Sequence, residues 1–360
     1  MIINIGQGYC MKTTPPLTYM NLALALATRG RYTVSPNPMV ACVLVKDERI
    51  VGEGYHHRAG NAHAEVLAIQ AAGAAATGST AYLTLEPCAH TGKTPPCANA
   101  LIQAGIRKVY VACLDPNPLV AGKGMAQLQA SGIETHLGLG EMEARKLNEV
   151  FFHYITTQQP FVIAKWAMSL DGQLTTNTND SRQLSGSKAA KHTHDLRHRS
   201  DAILIGAKTL LTDNPRLTVR HQKNVKHPLR IVVSTEGLLP SHLKLLNNSL
   251  PGKTILATTN PDAQTPHADM LLLPKNSDGQ VCLRSLLKAL GKREISSLLV
   301  EGGRTLLNSF FKANLVNQIQ VYLSPVIIGS HAAKQPVQII NCEALGNDYH
   351  ISATMETPHV

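Results

Sequence analysis

The sequence predicts an α/β protein made of two domains, and three observations lead to this prediction. The chain has 360 residues, which is more than a single hydrophobic core usually supports. Strand-like runs and helical patterns alternate along its length, as they do in α/β folds. A polar segment with a proline, Gln158-Gln159-Pro160, separates two such series. We therefore expect one domain over residues 1–157 and a second over residues 158–360.

The composition is typical of a globular protein in a reducing compartment. Hydrophobic residues make up 44% and charged residues 16% of the chain, which argues against intrinsic disorder. The seven cysteines follow no regular spacing, so a disulfide framework is not indicated. No apolar run has the length of a membrane span, and the first thirty residues contain no signal-peptide pattern. We expect a soluble cytoplasmic protein whose residues 1–16 carry no motif and are frayed.

The net charge of +10 favours either a nucleic acid or a small anion as the binding partner. The 34 lysines and arginines are scattered rather than clustered, and aromatic residues, which would stack on bases, make up only 4%. A small anion, such as a phosphorylated nucleotide precursor, accounts for the charge better. We expect such a substrate, and no nucleic-acid or membrane partner.

In the first domain, hydrophobic periodicity and turn residues predict five helices and five strands. Gly30 ends the first helix, and Asp47-Glu48 forms a tight turn between two strands. Pro95-Pro96 opens a later helix, because proline favours the first helical turn. The predicted strands are residues 39–46, 50–55, 81–85, 109–113 and 133–136, and the predicted helices are 19–29, 64–73, 95–105, 140–157 and one that ends at residue 131.

A His-x-Glu pair and two later cysteines contain the ligand types of a catalytic zinc site. His63, Cys88 and Cys97 offer one imidazole and two thiolates, which leaves a fourth zinc position open for water. Glu65 can take a proton from that water and pass it to the leaving group. Residues two apart point about 200° from each other in a helix, so His63 and Glu65 can share a site only in its first turn. A structural zinc would need a fourth protein ligand, and only His90 is near in sequence.

The order of these residues is that of base deaminases, which share an H-x-E motif followed by P-C-x-x-C. Here eight residues rather than two separate the cysteines. Both ligand groups fall at the N-terminal ends of predicted helices, where backbone N–H groups stabilise thiolate charge. The residues therefore predict a hydrolytic zinc deaminase.

The second domain is predicted to contain a largely parallel sheet, because strands and helices alternate in it as well. Its first strand, residues 161–168, is too apolar for a sheet edge. The other predicted strands are residues 202–206, 229–234, 254–258, 297–300 and 318–323, and the predicted helices are 187–199, 283–290 and 305–313.

Two stretches of this domain contain candidate functional residues. Glu301-Gly302-Gly303 follows a strand and opens a helix, which allows a phosphate to approach the backbone at a helix N-terminus. The segment 209–220 combines Asp213 with Arg216 and Arg220. Each stretch also has a simpler interpretation: a turn after a strand in the first case, and a capped turn in the second.

The first domain resembles the bifunctional deaminase/reductase family of riboflavin biosynthesis. The resemblance rests on the His-x-Glu motif, on residues 90–96 between the cysteines, and on Asp115-Pro116-Asn117-Pro118 followed by residues 120–122. It implies a cytidine-deaminase-like three-layer fold, one Zn²⁺ per chain, and hydrolytic deamination of 2,5-diamino-6-ribosylamino-4(3H)-pyrimidinone 5′-phosphate. The family usually has glycine where this chain has Ala41. In that family the pyrimidine and its phosphate would be surrounded by Asn37, His90, Lys93, Asp115 and Asn117.

The second domain resembles the reductase half of the same family, through Lys165, residues 169–172 and the two stretches described above. The resemblance implies a fold like that of dihydrofolate reductase, and NADPH-dependent reduction of the ring-opened ribose to a ribityl chain. Lys165 and Glu301 would polarise the sugar carbonyl and handle the proton, and Arg197 and Arg220 would form a fork for the 5′-phosphate. The implied cofactor contacts are Ala167, Gln183, Thr209, Asp213, Gly303, Arg304, Thr305, Leu306, Leu307, Asn308 and Ser309. The implied substrate contacts are Ser181, Arg197, Leu217, Arg220 and Glu301.

This half departs from the family pattern at two places. Gln183 begins a Gln-Leu-Ser segment where the family usually has Trp-Ile-Thr or Trp-Ile-Ser, and Trp166 and Met168 replace small residues. One alternative is therefore a deaminase whose reductase half is weak or inactive. Another is a nucleic-acid-editing deaminase, which predicts tight, salt-sensitive binding to RNA or DNA. We also expect the protein to form a homo-oligomer.

Overall fold

The computed structural model describes residues 15–89, 96–118, 120–169, 172, 174, 186–220, 225–247, 250–265, 267–324 and 337–355. The chain divides into two compact units between Thr156 and Thr157, and each unit is built on its own sheet. No helix in the described ranges has both the length and the apolar character needed to cross a membrane. The predicted α/β class is confirmed.

The first unit is built around a five-stranded sheet. Its strands are β1 (Ala41–Lys46), β2 (Arg49–Tyr55), β3 (Thr80–Leu83), β4 (Lys108–Val111) and β5 (Glu134–Leu137). The order is β2-β1-β3-β4-β5, with β1 antiparallel to β2 and β3, and with β3, β4 and β5 parallel. The helices are α1 (Pro15–Ala27), α2 (Ala64–Ala72), α3 (Cys97–Gln103), α4 (Lys123–Ala130), α5 (Glu141–Leu147) and α6 (Glu149–Thr157). The five predicted strands are confirmed, with their ends shifted by a residue or two.

Apolar side chains cover both faces of this sheet, because successive residues of a strand point to opposite sides. In β1, Cys42 and Leu44 belong to a core with residues of α2, α3 and α4. Val43 and Val45 belong to a second core, with residues of α1 and α5. The sheet therefore lies between two helical layers, and the predicted cytidine-deaminase-like three-layer arrangement is confirmed.

The prediction of a single helix over residues 140–157 is wrong. Asn148 separates α5 from α6, with φ −110° and ψ 21°. Its side chain turns to the backbone of Met39, accepting from the amide nitrogen at 2.8 Å and donating to the carbonyl oxygen at 2.9 Å. A long-range contact thus interrupts the helical pattern. Pro15 and Pro16, predicted to lie in the frayed extension, belong to α1; the rest of that prediction, residues 1–14, lies outside the described ranges.

The second unit is built around a nine-stranded sheet of the order β10-β9-β8-β7-β11-β6-β12-β14-β13. The strands are β6 (Phe161–Ser169), β7 (Ala202–Gly206), β8 (Leu229–Val233), β9 (Thr254–Thr258), β10 (Asp269–Leu272), β11 (Ser297–Val300), β12 (Gln318–Ser324), β13 (Val337–Leu345) and β14 (Asp348–Met355). The helices are α7 (Ser187–Arg199), α8 (Ala207–Asp213), α9 (Leu283–Gly291) and α10 (Arg304–Lys312). All strands from β10 to β12 in this order run parallel, and β14 and β13 are antiparallel. The largely parallel sheet is confirmed, whereas β10, β13, β14 and α8 are additional elements that the sequence patterns did not predict.

The strand β6 lies between β11 and β12, and its two faces differ. Trp166 and Met168 belong to an apolar cluster, in which the Trp166 ring meets Phe311 of α10 edge to face at a centroid distance of 6.0 Å. Lys165 and Ala167 point to the opposite face. On that face the neighbouring strands carry the buried polar side chains Gln320, Tyr322, His350 and Ser352. The strand therefore separates a hydrophobic core from a polar site.

Candidate active sites

The three predicted metal ligands lie together in the first unit. His63 immediately precedes α2, Cys97 is the first residue of α3, and Cys88 lies in the loop after β3. His63 Nδ1 lies 3.1 Å from Cys97 Sγ and 3.7 Å from Cys88 Sγ. A tetrahedral zinc ion with one nitrogen and two sulfur ligands holds these atoms about 3.5 to 3.8 Å apart. The donor types and their spacing therefore fit zinc.

The helix α2 brings His63 to this position because it packs very closely against β2. A side chain at Gly54 would place its Cβ 2.4 Å from the carbonyl oxygen of Ala64. One at Gly52 would place its Cβ 2.3 Å from the carbonyl oxygen of Ala68. Residues two apart in a strand share a face, and only glycine leaves room for a helix backbone there. The Gly-x-Gly pattern of β2 thus allows α2, which begins directly after His63, to pack against the strand backbone.

The protein environment by itself favours a thiolate at Cys88. Hydrogen bonds from the Cys97 thiol, from His63 and from the Cys97 N–H, which lies 3.3 Å from the sulfur, lower the pKa of Cys88 to about 4 against the effect of burial. Contact with Cys88 and burial raise the pKa of Cys97. Cysteine binds metal as the thiolate, so the lowered pKa of Cys88 favours the form that a metal cation requires.

Glu65 lies in the first turn of α2, where the sequence predicts it, and is only 3% exposed. Burial raises the pKa of its carboxyl, and nearby His63 only partly opposes this rise. The carboxyl also hydrogen-bonds to the side chain of Cys97. A carboxyl with a raised pKa accepts and releases a proton more readily near neutral pH. Glu65 is therefore suited to moving a proton beside the metal ligands.

Asn37, a predicted pyrimidine contact, is held near the metal ligands by a histidine that sequence reasoning missed. Asn37 Nδ2 donates to His56 Nε2 at 3.1 Å, and His56 Nδ1 donates to the Ala62 carbonyl oxygen at 3.3 Å. The rings of His56 and His63 meet edge to face at a centroid distance of 5.6 Å. Burial lowers the pKa of His56, which keeps its Nε2 free of a proton and able to accept. No motif distinguishes His56 from the adjacent His57.

Two further predicted contacts, Asp115 and Asn117, lie in the loop between β4 and α4. Asp115 Oδ1 accepts the N–H of Asn117 at 2.8 Å, and the buried carboxylate of Glu86 accepts the N–H of Asp115 at 3.2 Å. Glu86 was missed as well, because a charged residue just after a strand is usually part of a solvated turn. The other contacts predicted here, His90 and Lys93, lie outside the described residues.

In the second unit, a buried ion-pair cluster lies where β11 ends. Arg197 of α7 donates from Nε to Glu301 Oε1 at 2.7 Å and from Nη2 to Glu301 Oε2 at 2.8 Å. Lys165 Nζ lies 3.7 Å from Glu301 Oε2 and 5.3 Å from the centroid of the Tyr322 ring. The three charged side chains are 15% (Lys165), 11% (Arg197) and 9% (Glu301) exposed. The structure thus brings Lys165 and Glu301 together, as predicted. It also shows that Glu301 accepts hydrogen bonds from two donor groups of Arg197.

The pKa values of Glu301 and Lys165 are both lowered, but by different causes. Burial would raise the pKa of Glu301, but Arg197 and Lys165 together outweigh burial and lower it to about 2. Burial lowers the pKa of Lys165 by more than Glu301 raises it. Glu301 therefore stays charged at physiological pH, and the Lys165 ammonium releases its proton more readily than an exposed lysine would.

Next to Arg197 lies an open depression of about 400 Å³. Its cationic lining consists of Arg197, Arg216, Arg220 and Lys244. Burial and the nearby charges of Arg197 and Arg216 lower the pKa of Arg220, so these cations repel one another and would gain from a bound anion. Asp213 and Leu217 also line the depression. The structure therefore gathers predicted substrate and cofactor contacts in one place.

The N-terminus of α10 lies beside α8, at the ends of the adjacent strands β11 and β7. The N–H of Gly303 donates to Thr209 Oγ1 at 3.2 Å, which joins two predicted cofactor contacts. Gly303, Arg304 and Thr305 are exposed, whereas Leu307 is 4% exposed and packs in the core. A phosphate would therefore meet the helix N-terminus and not the Leu307 side chain. The predicted contacts outside the described residues are Ser181 and Gln183.

A second group of potential metal ligands, His192, Glu343 and His350, lies on the polar face of the same sheet. His192 Nδ1 contacts the Tyr322 hydroxyl at 2.7 Å, and His350 contacts Glu343 Oε1 at 3.1 Å and Gln320 Oε1 through its other nitrogen. Burial, followed by the proximity of His350, lowers the pKa of His192 to about 4. These hydrogen bonds explain why the three side chains lie together. The cluster extends the polar network next to Lys165.

Comparison with protein families divides the chain in the same way. Residues 14–113 match the family described as the cytidine and deoxycytidylate deaminase zinc-binding region. Residues 160–353 match the RibD C-terminal domain. The zinc ligands lie within the first match and the Lys165–Glu301 cluster within the second.

Several known proteins are similar to the chain over nearly its full length. It is 41% identical to the riboflavin biosynthesis protein RibD of Actinobacillus pleuropneumoniae, over 91% of this chain and 88% of the relative. It is 42% identical to RibD of Escherichia coli, over 87% of this chain and 89% of the relative. Its structure matches that of Acinetobacter baumannii RibD with a TM-score of 0.85 at 35% identity, covering 95% and 99% of the two chains. A Thermotoga maritima diaminohydroxyphosphoribosylaminopyrimidine deaminase/5-amino-6-(5-phosphoribosylamino)uracil reductase matches with a TM-score of 0.85 at 32% identity, covering 95% and 99%.

Proposed function

The chain belongs to the RibD family of bifunctional riboflavin-biosynthesis enzymes, and we propose how its residues divide the family's two reactions. The enzyme deaminates 2,5-diamino-6-ribosylamino-4(3H)-pyrimidinone 5′-phosphate with zinc, and reduces the ribosyl chain with NADPH to give 5-amino-6-ribitylaminouracil 5′-phosphate. Residues 1–157 would carry the deamination and residues 158–360 the reduction. The observation that carries this division is the buried Glu65 beside three zinc ligands in one unit, and the Lys165–Glu301–Arg197 cluster in the other.

In the deaminase, His63, Cys88 and Cys97 would hold one Zn²⁺. A zinc ion held there would make a hydroxide available near neutral pH, because bound zinc lowers the pKa of water to about 7. Glu65 would accept a proton and deliver it to the amino group that leaves as ammonia. Its burial at 3% exposure and its raised pKa support this role.

The pyrimidine would be held by Asn37, Asp115 and Asn117. His56 and the Asn148 side chain fix the segment that carries Asn37, and Glu86 fixes the loop that carries the other two. The remaining proposed contacts to the substrate and its phosphate are His90 and Lys93.

In the reductase, NADPH would be the hydride source for the carbonyl carbon of the opened sugar. The carbonyl oxygen needs a proton at the same time, and we assign the donor to Lys165 Nζ, whose pKa is lowered by burial. Glu301 orients Lys165 and Arg197 by charge. The proposed cofactor contacts are Ala167, Gln183, Thr209, Asp213 and residues 303–309.

The 5′-phosphate in the reductase would lie in the cationic depression. Arg220 and Arg216 face it together with Arg197, and a phosphate would offset their mutual repulsion. Because Glu301 already takes two donors of Arg197, Arg220 would make the larger share of phosphate contacts. Leu217 and Ser181 complete the proposed substrate set.

The test is to give the zinc-loaded protein the diaminopyrimidinone ribose phosphate, with and without NADPH, and to follow ammonia and NADPH separately. We expect ammonia first and NADPH consumption after it. Ammonia without NADPH consumption would favour the alternative of an inactive reductase half. Glu65→Gln should stop ammonia release yet still reduce the supplied deaminated intermediate, and Glu301→Ala should do the reverse. Equal loss of both activities in either variant would refute the proposed division.

We also propose a cytoplasmic homo-oligomer, from the cysteine usage and from the resemblance. Light scattering of the purified chain would measure its mass in solution. A mass of one chain at micromolar concentration would contradict the oligomer.

A further inference from the structure

Glu86, just beyond the end of β3, has a carboxylate that accepts four backbone N–H groups. Its Oε2 accepts from Asp115 at 3.2 Å and from Gly122 at 2.9 Å. Its Oε1 accepts from Gly124 at 3.0 Å and from Met125 at 3.3 Å. The side chain is 4% exposed. A carboxylate has about four lone-pair positions, so this side chain is fully used by the backbone of one distant segment.

The first donor, Asp115, begins the segment that contains the proposed pyrimidine contacts, and the other three donors come at its end and just after it. Within it, Asp115 Oδ1 accepts the N–H of Asn117 at 2.8 Å, and the Asn117 carbonyl oxygen accepts from Val120 at 2.8 Å and from Ala121 at 3.0 Å. Glu86 then binds the N–H of the residue at each end, Asp115 and Gly122. The segment is thereby closed into a loop whose two ends meet at one carboxylate.

The same carboxylate caps α4. Gly122 precedes the helix with φ 83°, and no side chain of the helix's own N-cap residue binds its first N–H groups. The N–H groups of Gly124 and Met125 are donors that a helix leaves without an internal partner, and a carboxylate is the favoured partner there. The contact is close: a Cβ at Gly124 would lie 2.0 Å from the carbonyl oxygen of Pro87.

We propose that Glu86 is a positioning residue for deamination, which fixes the loop of Asp115 and Asn117 relative to the zinc ligand Cys88. Glu86 and Cys88 are two residues apart, on the same short segment after β3. The segment thus holds the metal through one residue and the pyrimidine loop through the other. The proposal rests on the proposed function, in which Asp115 and Asn117 contact the pyrimidine.

The test compares the full-length, zinc-loaded wild-type chain with Glu86→Gln. Glutamine keeps the size of the side chain but replaces one acceptor oxygen by an NH₂ donor, so two of the four backbone N–H groups lose their partner. We expect the KM for deamination to rise roughly tenfold to hundredfold, while kcat falls much less. Zinc stoichiometry should stay at one per chain. Reduction of the supplied deaminated intermediate, which takes place in the other unit, should be unchanged.

Two variants complete the design. Gly124→Ala pushes α4 away from Pro87 without altering any charge, and should raise the same KM if the loop position is what matters. Glu53→Gln, at an exposed position of β2, is the matched control and should match the wild type.

The proposal would be overturned by unchanged KM in Glu86→Gln together with lower thermal stability, since Glu86 would then only cap a helix. Loss of zinc would also overturn it, because Glu86 would then support the metal ligand and not the pyrimidine loop. If Glu86→Gln fails to fold, the KM for deamination, the zinc content and the thermal stability of Gly124→Ala decide the question instead. A wild-type chain that releases no ammonia would refute the proposed function instead, so the two failures are distinct.

Discussion

Replacing Glu301 by glutamine should destabilise the reductase unit by about 3 to 5 kcal/mol, because it leaves Arg197 and Lys165 as buried positive charges without a counter-charge. The lowered pKa of Glu301 gives a similar estimate of this loss of stability. A change from the ordinary 4.5 to about 2 corresponds to about 3 kcal/mol at 1.4 kcal/mol per unit. For a unit of this size, such a loss lowers the melting temperature by roughly 10 °C.

The sign of the pH dependence follows from the direction of the shift. Because the pKa of Glu301 is lower in the folded state, its contribution to stability is present above about pH 4.5 and is lost as the pH falls towards 2. The difference in melting temperature between wild type and Glu301→Gln should therefore be full at pH 7 and shrink through this window.

Calorimetry of the full chain measures this difference, and the transition that NADPH shifts upward identifies the reductase unit. Glu236→Gln, at an exposed position of the same unit, is the control and should leave the transition in place. In a double-mutant cycle with Arg197→Gln we expect a coupling of about 2 kcal/mol. A shift below about 2 °C in Glu301→Gln, or fully additive effects in the cycle, would refute the ion-pair reasoning.

Four other substitutions test the rest of the structure. Cys88→Ser should lower bound zinc and abolish ammonia release, whereas Glu65→Gln should keep the zinc and lose about a hundredfold or more in turnover; normal deamination by the Glu65 variant would exclude its proton-transfer role. Trp166→Ala should lower the stability of the reductase unit by about 2 kcal/mol without changing the KM for NADPH, and a large rise in that KM would show that the indole contacts the cofactor. Asn148→Ala should cost the deaminase unit about 2 kcal/mol, since two partly buried backbone groups of Met39 lose their partners, and an unchanged melting temperature would contradict this.

Elements with a strong local signal could be predicted from the sequence. The strands Ala202–Gly206, Thr254–Thr258 and Ser297–Val300 are runs of apolar and β-branched residues, and their predicted ends agree with the structure to the residue. The spacing of His63 and Glu65 required both residues at the start of a helix; His63 immediately precedes α2, and Glu65 lies in its first turn. In each case a few neighbouring residues determine the local secondary structure.

Features that depend on distant contacts could not be predicted in this way. Arg197 and Glu301 are 104 positions apart, and nothing near either residue indicates that they pair. Asn148 ends a helix because of Met39, which is 109 positions away. The helix α8 has seven residues, too few for a helical period to be distinguished from a turn.

The alternation of side chains along β6 limits how this enzyme can tolerate insertions and deletions. The strand is hydrogen-bonded to β11 on one side and to β12 on the other, so it cannot slide to absorb a change in length. Removing one residue before Lys165 would exchange the two faces, placing Trp166 in the polar site and a lysine in the core. The strand β6 therefore accepts a change of side chain on its core face at a smaller cost than a change in its number of residues.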